Sequence, residues 1–490
     1  MDFFNVDGNT ALVMKGEPGT GKTIFSLQYI ASQIRKKRGI YFSTRVNINS
    51  LYSQFPWIKG SIHPENIIDA TQNVLPERMG ISQLIRFSSL PEFLKGLYMI
   101  VEQTPHQEVN IVVDSIDAIA SSVGLLIEDV ATKLINAIQE MNVKALIITE
   151  RTEKSILDYI CDGVIVLKKK IIDERIFREL VIEKLRGVEI KNAIYYFTLH
   201  EGRFKHFKEF SPLKISKRHY EPHPVIKDGK GTKIFEKHMF STGNQQLDSL
   251  LGGFKRGSFV LIEISEGVPF EFIINITAPV IENFILQDRG VIMIPPGDIN
   301  QSYLINFYSS TISRDNLKKS YRTITTCPLA TLTSHPYFCE NIEKCSKNII
   351  SSKDIHIESL PCLNTMETPL KSLFKVINRV VGDFRKNLNK EYLLFVSFER
   401  LEADLGPEAA EKAAMELIAR VRSEDCLCVG ITFPAIKINP KLKYTADYFF
   451  KVFSREDVLF IYSIHPASKI YNVNIDYSQP HPRLYLTPIT

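Results

Sequence analysis

A chain of 490 residues is longer than one hydrophobic core ordinarily supports, so two domains are expected. With 44% hydrophobic and 23% charged residues it has the proportions of a soluble globular protein, and no stretch approaches the roughly 18 apolar residues that span a bilayer. The net charge of +5, from 60 basic and 55 acidic residues, allows a local basic surface but does not by itself argue for nucleic acid. The start, Met1-Asp2-Phe3-Phe4-Asn5, lacks the basic and apolar regions of a signal peptide. Together with seven cysteines, this leads us to expect a reducing, cytoplasmic setting, disulfide-rich thermophile cytosols being the known exception.

The first recognisable element is the apolar run Thr10–Met14, which reads as a buried parallel strand. It leads into Gly16-Glu17-Pro18-Gly19-Thr20-Gly21-Lys22-Thr23, a match to G-x-x-x-x-G-K-[ST]. Glycines in such a loop let successive N–H groups turn inward around a phosphate. Lys22 would reach the β- and γ-phosphates, and the Thr23 hydroxyl would ligate Mg²⁺. Apolar residues at helical spacing from Ile24 to Ala31 complete the order of strand, loop and helix, which makes this a nucleotide site.

Further along, Gly39–Thr44 reads as a second strand, Ile111-Val112-Val113-Asp114 as a third and Ala145–Thr149 as a fourth. An aspartate ending such a strand orients the Mg²⁺ shell, so Asp114 is a candidate metal residue as well as a candidate helix N-cap. Gly163–Leu167 and Leu180–Gly187 read as a terminal hairpin, with Lys168-Lys169-Lys170 near its turn, either as a solvated tip or as a contact for an acidic partner. From Lys208 to Phe235 Lys, His, Pro and Gly accumulate and hydrophobic periodicity is lost, as in an interdomain linker. The expected division is therefore 1–207, a 208–235 linker, and 236–490.

The second half repeats the first in weakened form. Ser241-Thr242-Gly243, Leu247-Asp248 and Leu250-Leu251-Gly252-Gly253 lead through Arg256-Gly257-Ser258 into the strand Phe259–Glu263. The glycine loop that should follow is replaced by Ile264-Ser265-Glu266-Gly267-Val268-Pro269-Phe270-Glu271. Leu393–Val396 matches the strand before Asp114, but Ser397 follows it. Phosphate and metal ligands are both missing, so the second domain reads as a nucleotide fold with a degenerate site.

These segments resemble the KaiC-like branch of the RecA superfamily. The resemblance is carried by the loop at 16–23 with Val112-Val113-Asp114-Ser115, the entry at 241–253, and Asp162–Leu167 followed by Ile182–Gly187. Within that branch, Tyr41-Phe42-Ser43-Thr44-Arg45-Val46 and Leu51-Tyr52-Ser53-Gln54-Phe55-Pro56-Trp57 are similar to archaeal GvpD-type proteins. The resemblance implies two tandem α/β RecA-like P-loop domains, ATP with Mg²⁺ at Gly16–Thr23 and Asp114, and assembly into rings or dimers. It also implies that Lys184 and Arg186 reach the γ-phosphate held by a neighbouring subunit, against the plainer reading of two exposed strand residues. KaiC-like ATPases carry paired glutamates after the second strand, one of them activating water; Arg45 and Val46 stand near those positions here. Arginine cannot take a proton from water at neutral pH, so Arg45 would hold the γ-phosphate, and Glu17 and Glu150 are the substitute candidates for the base. The expectation is tight ATP binding with slow hydrolysis, a switch acting on a protein partner. By resemblance to GvpD that partner is a transcriptional regulator. The alternative is a recombinase-like ATPase acting on DNA, for which the net charge is a weak footprint.

Three other groups of residues stand outside the nucleotide-binding motifs. Cys327, His335, Cys339, Cys345 and Cys362 lack the short C-x₂₋₄-C spacing of zinc sites, which leaves a metal, a disulfide or ordinary thiols open. Cys426 and Cys428 alternate along a strand and are expected in the core. Trp57, beside Phe55 and Pro56, is either a partner-binding knob or local packing.

Overall fold

The computed structural model describes residues 11–33, 38–71, 87–102, 108–141, 143–212, 238–296, 301–325, 357–359, 369–478 and 482–490. The chain divides into two units, Met1–Phe207 together with Pro488–Thr490, and Lys208–Thr487. Most of the expected linker, and all of Cys327, His335, Cys339, Cys345 and Cys362, lie outside the described residues.

In the first unit β1 (Ala11–Lys15) is buried along its whole length, as a run of Ala, Leu, Val and Met flanked by glycine would dictate for a central parallel strand. α1 (Lys22–Gln33), β2 (Arg38–Ser43), α2 (Ile48–Gln54), β3 (Ile67–Asp69), α3 (Leu90–Glu102) and β4 (Val109–Asp114) follow. α4 (Ile116–Val123), α5 (Ile127–Met141), β5 (Lys144–Thr149) and α6 (Ile156–Ile160) come next. The unit closes with β6 (Gly163–Ile172), β7 (Arg175–Leu185), β8 (Ile194–Thr198) and β9 (Lys205–His206). α5 shows how sequence becomes packing: Ile127, Val130, Ala131, Leu134, Ile135 and Ile138 recur at helical spacing and are buried, while Glu128 and Asp129 in its first turn face the positive end of its dipole. Among the described residues the strands form one sheet in the order β3-β2-β4-β5-β1-β6-β7-β8-β9. It is parallel from β3 to β6 and antiparallel from β6 to β9. β1 is thus central, and the loop at its C-terminal end lies where open α/β sheets bind ligands.

The second unit contains a pair, β10 (Met239–Phe240) with β11 (Phe254–Lys255), and α7 (Gln245–Leu251) between them. Its main sheet is built from β12 (Ser258–Ile264), β13 (Gly290–Ile294), β14 (Tyr321–Thr325), β15 (Ile357–Ser359), β16 (Tyr392–Ser397), β17 (Leu427–Thr432), β18 (Tyr448–Arg455), β19 (Val458–His465), β20 (Tyr471–Asp476) and β21 (Arg483–Pro488). Their order is β15-β14-β13-β16-β17-β12-β18-β19-β20-β21. From β14 to β20 this repeats the order of the first sheet, so the chain carries two tandem RecA-like α/β domains, as expected. α8 (Phe270–Leu286) follows β12 as α1 follows β1, and it is buried on all sides. Cys426 and Cys428 sit in the core of this unit.

Strand registers align the two units residue by residue. Leu12 lies opposite Gly163 and Val260 opposite Tyr448, so Leu12 corresponds to Val260, Ala11 to Phe259 and Lys15 to Glu263. Both units keep the same clasp at the foot of this strand. Ala11 N donates to Asp162 Oδ2 (3.1 Å) and Asp162 N to Ala11 O (2.8 Å); Phe259 N donates to Asp447 Oδ2 (2.8 Å) and Asp447 N to Phe259 O (2.9 Å). At its head, Lys15 Nζ meets Asp158 Oδ2 of α6 at 2.7 Å, whereas Glu263 pairs with Lys443 of the helix Asn439–Thr445. The ion pair is retained with its polarity reversed.

The entry motif of the second unit is a structural clasp. Thr242 N and Oγ1 each donate to Asp248 Oδ1 at 2.7 Å, and Ser241 Oγ donates to Asp248 Oδ2 at 2.6 Å. Gly243 has φ +76°, and a Cβ there would lie 2.0 Å from the carbonyl oxygen of Pro279 in α8. Among the described residues no helix is long and apolar enough to cross a membrane. Gly243→Ala is expected to destabilise by more than about 2 kcal/mol, combining backbone strain with a main-chain clash. Gly252→Ala, also at positive φ but in open space, is expected to cost only about 1 kcal/mol. Denaturant midpoints of the two variants, compared with wild type, check the difference.

Candidate functional site

The phosphate loop runs from Gly16 to Gly21 between β1 and α1. Gly19 (φ +78°) and Gly21 (φ +105°) take backbone conformations closed to most side chains. A Cβ on Gly21 would fall 2.8 Å from Leu199 Cδ2, so the loop is backed closely by the end of β8. Lys22 opens α1, and its ammonium turns back onto the loop, donating to Gly16 O and to Glu17 O (3.0 Å). Burial lowers its pKa, opposed by the nearby Asp114 and Asp117 carboxylates. Glu17 and Pro18 are exposed, and Thr20 donates through Oγ1 to Glu17 O at 2.8 Å.

Asp114 ends β4 and is half-buried. Its Oδ2 accepts from Thr23 Oγ1 (2.7 Å) and from Tyr41 OH (2.5 Å). Burial raises its pKa above the usual carboxylate range, although the two hydroxyls and the charges of Lys22 and Arg45 work the other way. Asp117, half-buried on α4, accepts from Thr149 Oγ1 (3.2 Å) and Glu150 N (3.0 Å), and burial likewise pushes its pKa up. The fold therefore brings Lys22, Thr23 and Asp114 together and places Tyr41 and Asp117 beside them.

Arg45 and Glu150, expected separately as phosphate ligand and base, form a salt bridge with each other. Lys184 and Arg186 do not join the loop cluster. Lys184 Nζ donates to the carbonyls of Asp158 (2.8 Å), Tyr159 (3.3 Å) and Cys161 (2.6 Å), capping the end of α6 in its own chain. Arg186 reaches Tyr159 O at 3.0 Å and Asp162 Oδ1 at 3.5 Å. Trp57 is half-buried, donating Nε1–H to Gly202 O (3.1 Å) beneath the Arg203 guanidinium, so local packing accounts for it. Lys168–Lys170 are exposed along β6, with Lys170 paired to Glu179 at 2.7 Å.

The donor set suits a nucleotide and a hard divalent cation. A hydroxyl and a carboxylate share one hydrogen bond at the head of the sheet, and the half-buried Asp114 charge is of the kind that a cation offsets. Lys22, occupied by loop carbonyls, would exchange them for phosphate oxygens. Thr23 and Asp114 would hold the cation's shell; when bound, the cation neutralises phosphate charge. In the second unit the same register places Phe270 at the position of Lys22, Glu271 at Thr23, Pro269 at Gly21, Met293 at Tyr41 and Ser397 at Asp114.

Residues 6–206 match the family described as ATPase: KaiC. Over 39% of this chain the sequence is 27% identical to the circadian clock oscillator protein KaiC of Nostoc, covering 39% of that protein. Such a match, on this fold and this loop, defines a KaiC-like P-loop ATPase of the RecA superfamily, a family that uses nucleotide and divalent metal. Over nearly its full length the chain is also similar to two proteins of Halobacterium salinarum. GvpD1 is 24% identical over 99% of this chain and 95% of its own length, and GvpD2 24% identical over 99% and 94%. The chain is a KaiC-like protein of the GvpD type.

Asp114→Asn should separate stability from function. In the folded state Asp114 holds its proton to higher pH than in the unfolded chain, so stability falls as pH rises from about 4 through the raised pKa. An uncharged isostere escapes that loss. The variant is expected to melt a few degrees higher at neutral pH without nucleotide, with the difference vanishing below about pH 4. A pH series of thermal melts checks this; a variant melting at or below wild type at neutral pH would contradict it.

Proposed function

We propose that this protein is an ATP- and Mg²⁺-dependent switch that hydrolyses ATP slowly and acts on a protein partner. The observation that carries the reading is the cluster of Lys22, Thr23 and Asp114 beside an Arg45–Glu150 ion pair. Gly16–Thr23 cradles the phosphates, Lys22 neutralises their charge, and Thr23 and Asp114 hold Mg²⁺. Arg45 stands where related ATPases carry glutamates, and Glu150 is engaged by it, so neither presents a free carboxylate to water. Glu17, exposed on the loop, remains a candidate base, and the half-buried Asp117 joins it. Turnover is therefore expected to be on the order of 10⁻² s⁻¹ or below, as in NTPases awaiting a missing group.

The second unit serves as a platform without nucleotide. Phe270 and Glu271 in place of Lys and Thr replace attraction for phosphate with an apolar ring and a negative charge, and Pro269 supplies no N–H. By likeness to the GvpD proteins the partner is a regulator of transcription, and by likeness to KaiC the active form is an assembly in which Lys184 and Arg186 serve a neighbour's phosphates.

Thermal shift, turnover and molar mass, measured with and without ATP·Mg²⁺, test this. Wild type is expected to gain several degrees with ATP·Mg²⁺ and to turn over slowly, while Lys22→Ala gains nothing. Turnover of several per second would overturn the switch, and a Lys22→Ala protein that responds to ATP as wild type does would overturn the site.

A further inference from the structure

Arg178 of β7 is 6% exposed, and its guanidinium lies behind the phosphate loop. One Nη donates to Gly19 O (3.0 Å) and Thr20 O (3.3 Å), and Nε donates to the main-chain oxygen of Thr490. Thr490 is itself held, since its N–H reaches Thr198 Oγ1 at 3.3 Å while that hydroxyl donates to Pro488 O at 2.7 Å. Ile489 between them is buried. We infer that Arg178 is a positioning residue for the phosphate loop, and that its hold on Gly19 and Thr20 depends on the segment Pro488–Thr490.

The physical argument runs through the peptide unit. In a trans peptide the C=O and the following N–H point in opposite directions. Fixing the Gly19 and Thr20 carbonyls on the β7 side therefore turns the N–H groups of Thr20 and Gly21 away from it, toward the hollow that a phosphate fills. Thr20 N makes only a long bond to Glu17 O (3.3 Å), which an anion can displace. An arginine suits the task because its rigid fork serves three acceptors at once. Burial works against its charge, so the position is costly unless something anionic, or a set of fixed carbonyls, answers it.

The internal repeat gives an independent observation. β6 and β7 pair Lys169 with Arg178, and β18 and β19 pair Ser454 with Leu459, each after a bulge at the same place. Leu459, wholly buried, is thus the counterpart of Arg178. The unit that has Phe270 and Glu271 for Lys22 and Thr23 also lacks this arginine.

This inference rests on the nucleotide reading above, and one experiment separates the two. ATP·Mg²⁺ and adenosine are titrated into the full chain, Arg178→Leu, Arg178→Lys and a chain ending at Thr487, each with its melting curve. Arg178→Leu and the truncation are expected to weaken ATP about tenfold while leaving adenosine within twofold, because only the phosphates feel the loop. Arg178→Lys should recover part of the loss, as charge returns without the fork. A folded Arg178→Leu with wild-type ATP affinity, or one that loses ATP and adenosine equally, overturns the role of Arg178; should it not fold, Arg178→Lys is read by the same criteria. Unchanged ATP affinity in the truncation overturns the role of 488–490. A wild-type chain that binds no ATP overturns the nucleotide reading itself.

Discussion

Asp114 is a half-buried carboxylate at the end of β4, with hydroxyls from α1 and β2 both aimed at one of its oxygens. Two neutral hydrogen bonds do not repay the desolvation of a full charge, and the upward shift of its pKa records the shortfall. The rest of the site is arranged around that deficit. Lys22 and Arg45 lie close enough for their charges to act on Asp114, yet each has taken another partner, the loop carbonyls in one case and Glu150 in the other. A nucleotide and a cation would have to displace these internal partners of Lys22 and Arg45.

The second unit shows which features the two units share and which differ. The aspartate that clasps the foot of the central strand recurs as Asp162 and Asp447, with the same pair of main-chain bonds. The ion pair at the strand's head recurs as Lys15–Asp158 and as Glu263–Lys443, because tethering a short helix requires opposite charges and not a particular order. The positions in and around the glycine-loop cluster change together. Phe270, Glu271, Met293, Ser397 and Leu459 replace Lys22, Thr23, Tyr41, Asp114 and Arg178. Tyr41 and Arg178 are buried and would pass for structural residues in either unit taken alone. Their replacement alongside the loop residues ties them to the site.

How much of this is legible in the sequence follows from range. The glycine loop, its lysine and the strand-ending Asp114 were readable because their chemistry is written in eight contiguous residues and one apolar run. The hairpin and the tandem architecture were readable from strand periodicity and the weakened repeat. Tyr41 and Asp117 were not, since their meaning depends on which strands are neighbours: β2 is placed beside β4, and Asp117 is turned toward the end of β5. Arg178 stands in a strand far along the chain from the loop it touches. The Arg45–Glu150 pair was hidden for the same reason, each residue carrying a plausible role alone that contact between them alters.

Lys184 and Arg186 show how one residue can be bound to its own chain and still be read as a reagent for another. The five-residue helix α6 is too short to hold itself, and cations do much of the holding: Lys15 through Asp158, Lys184 through three carbonyls at its C-terminal end, and Arg186 through Tyr159 O. For Lys184 to reach a phosphate elsewhere it must release those carbonyls, at a cost of about 1–3 kcal/mol if they are left unpaired. Burial already lowers its pKa, and the adjacent Arg186 charge adds to that, so the ammonium is less comfortable where it lies than a solvated lysine is. A phosphate would relieve both. Engagement in trans would then loosen α6 in the donating chain, and α6 is joined through Asp158 to Lys15, the residue immediately before the phosphate loop. An assembly working in this way would pass the nucleotide state of one subunit to the loop of the next through a single ion pair and one turn of helix.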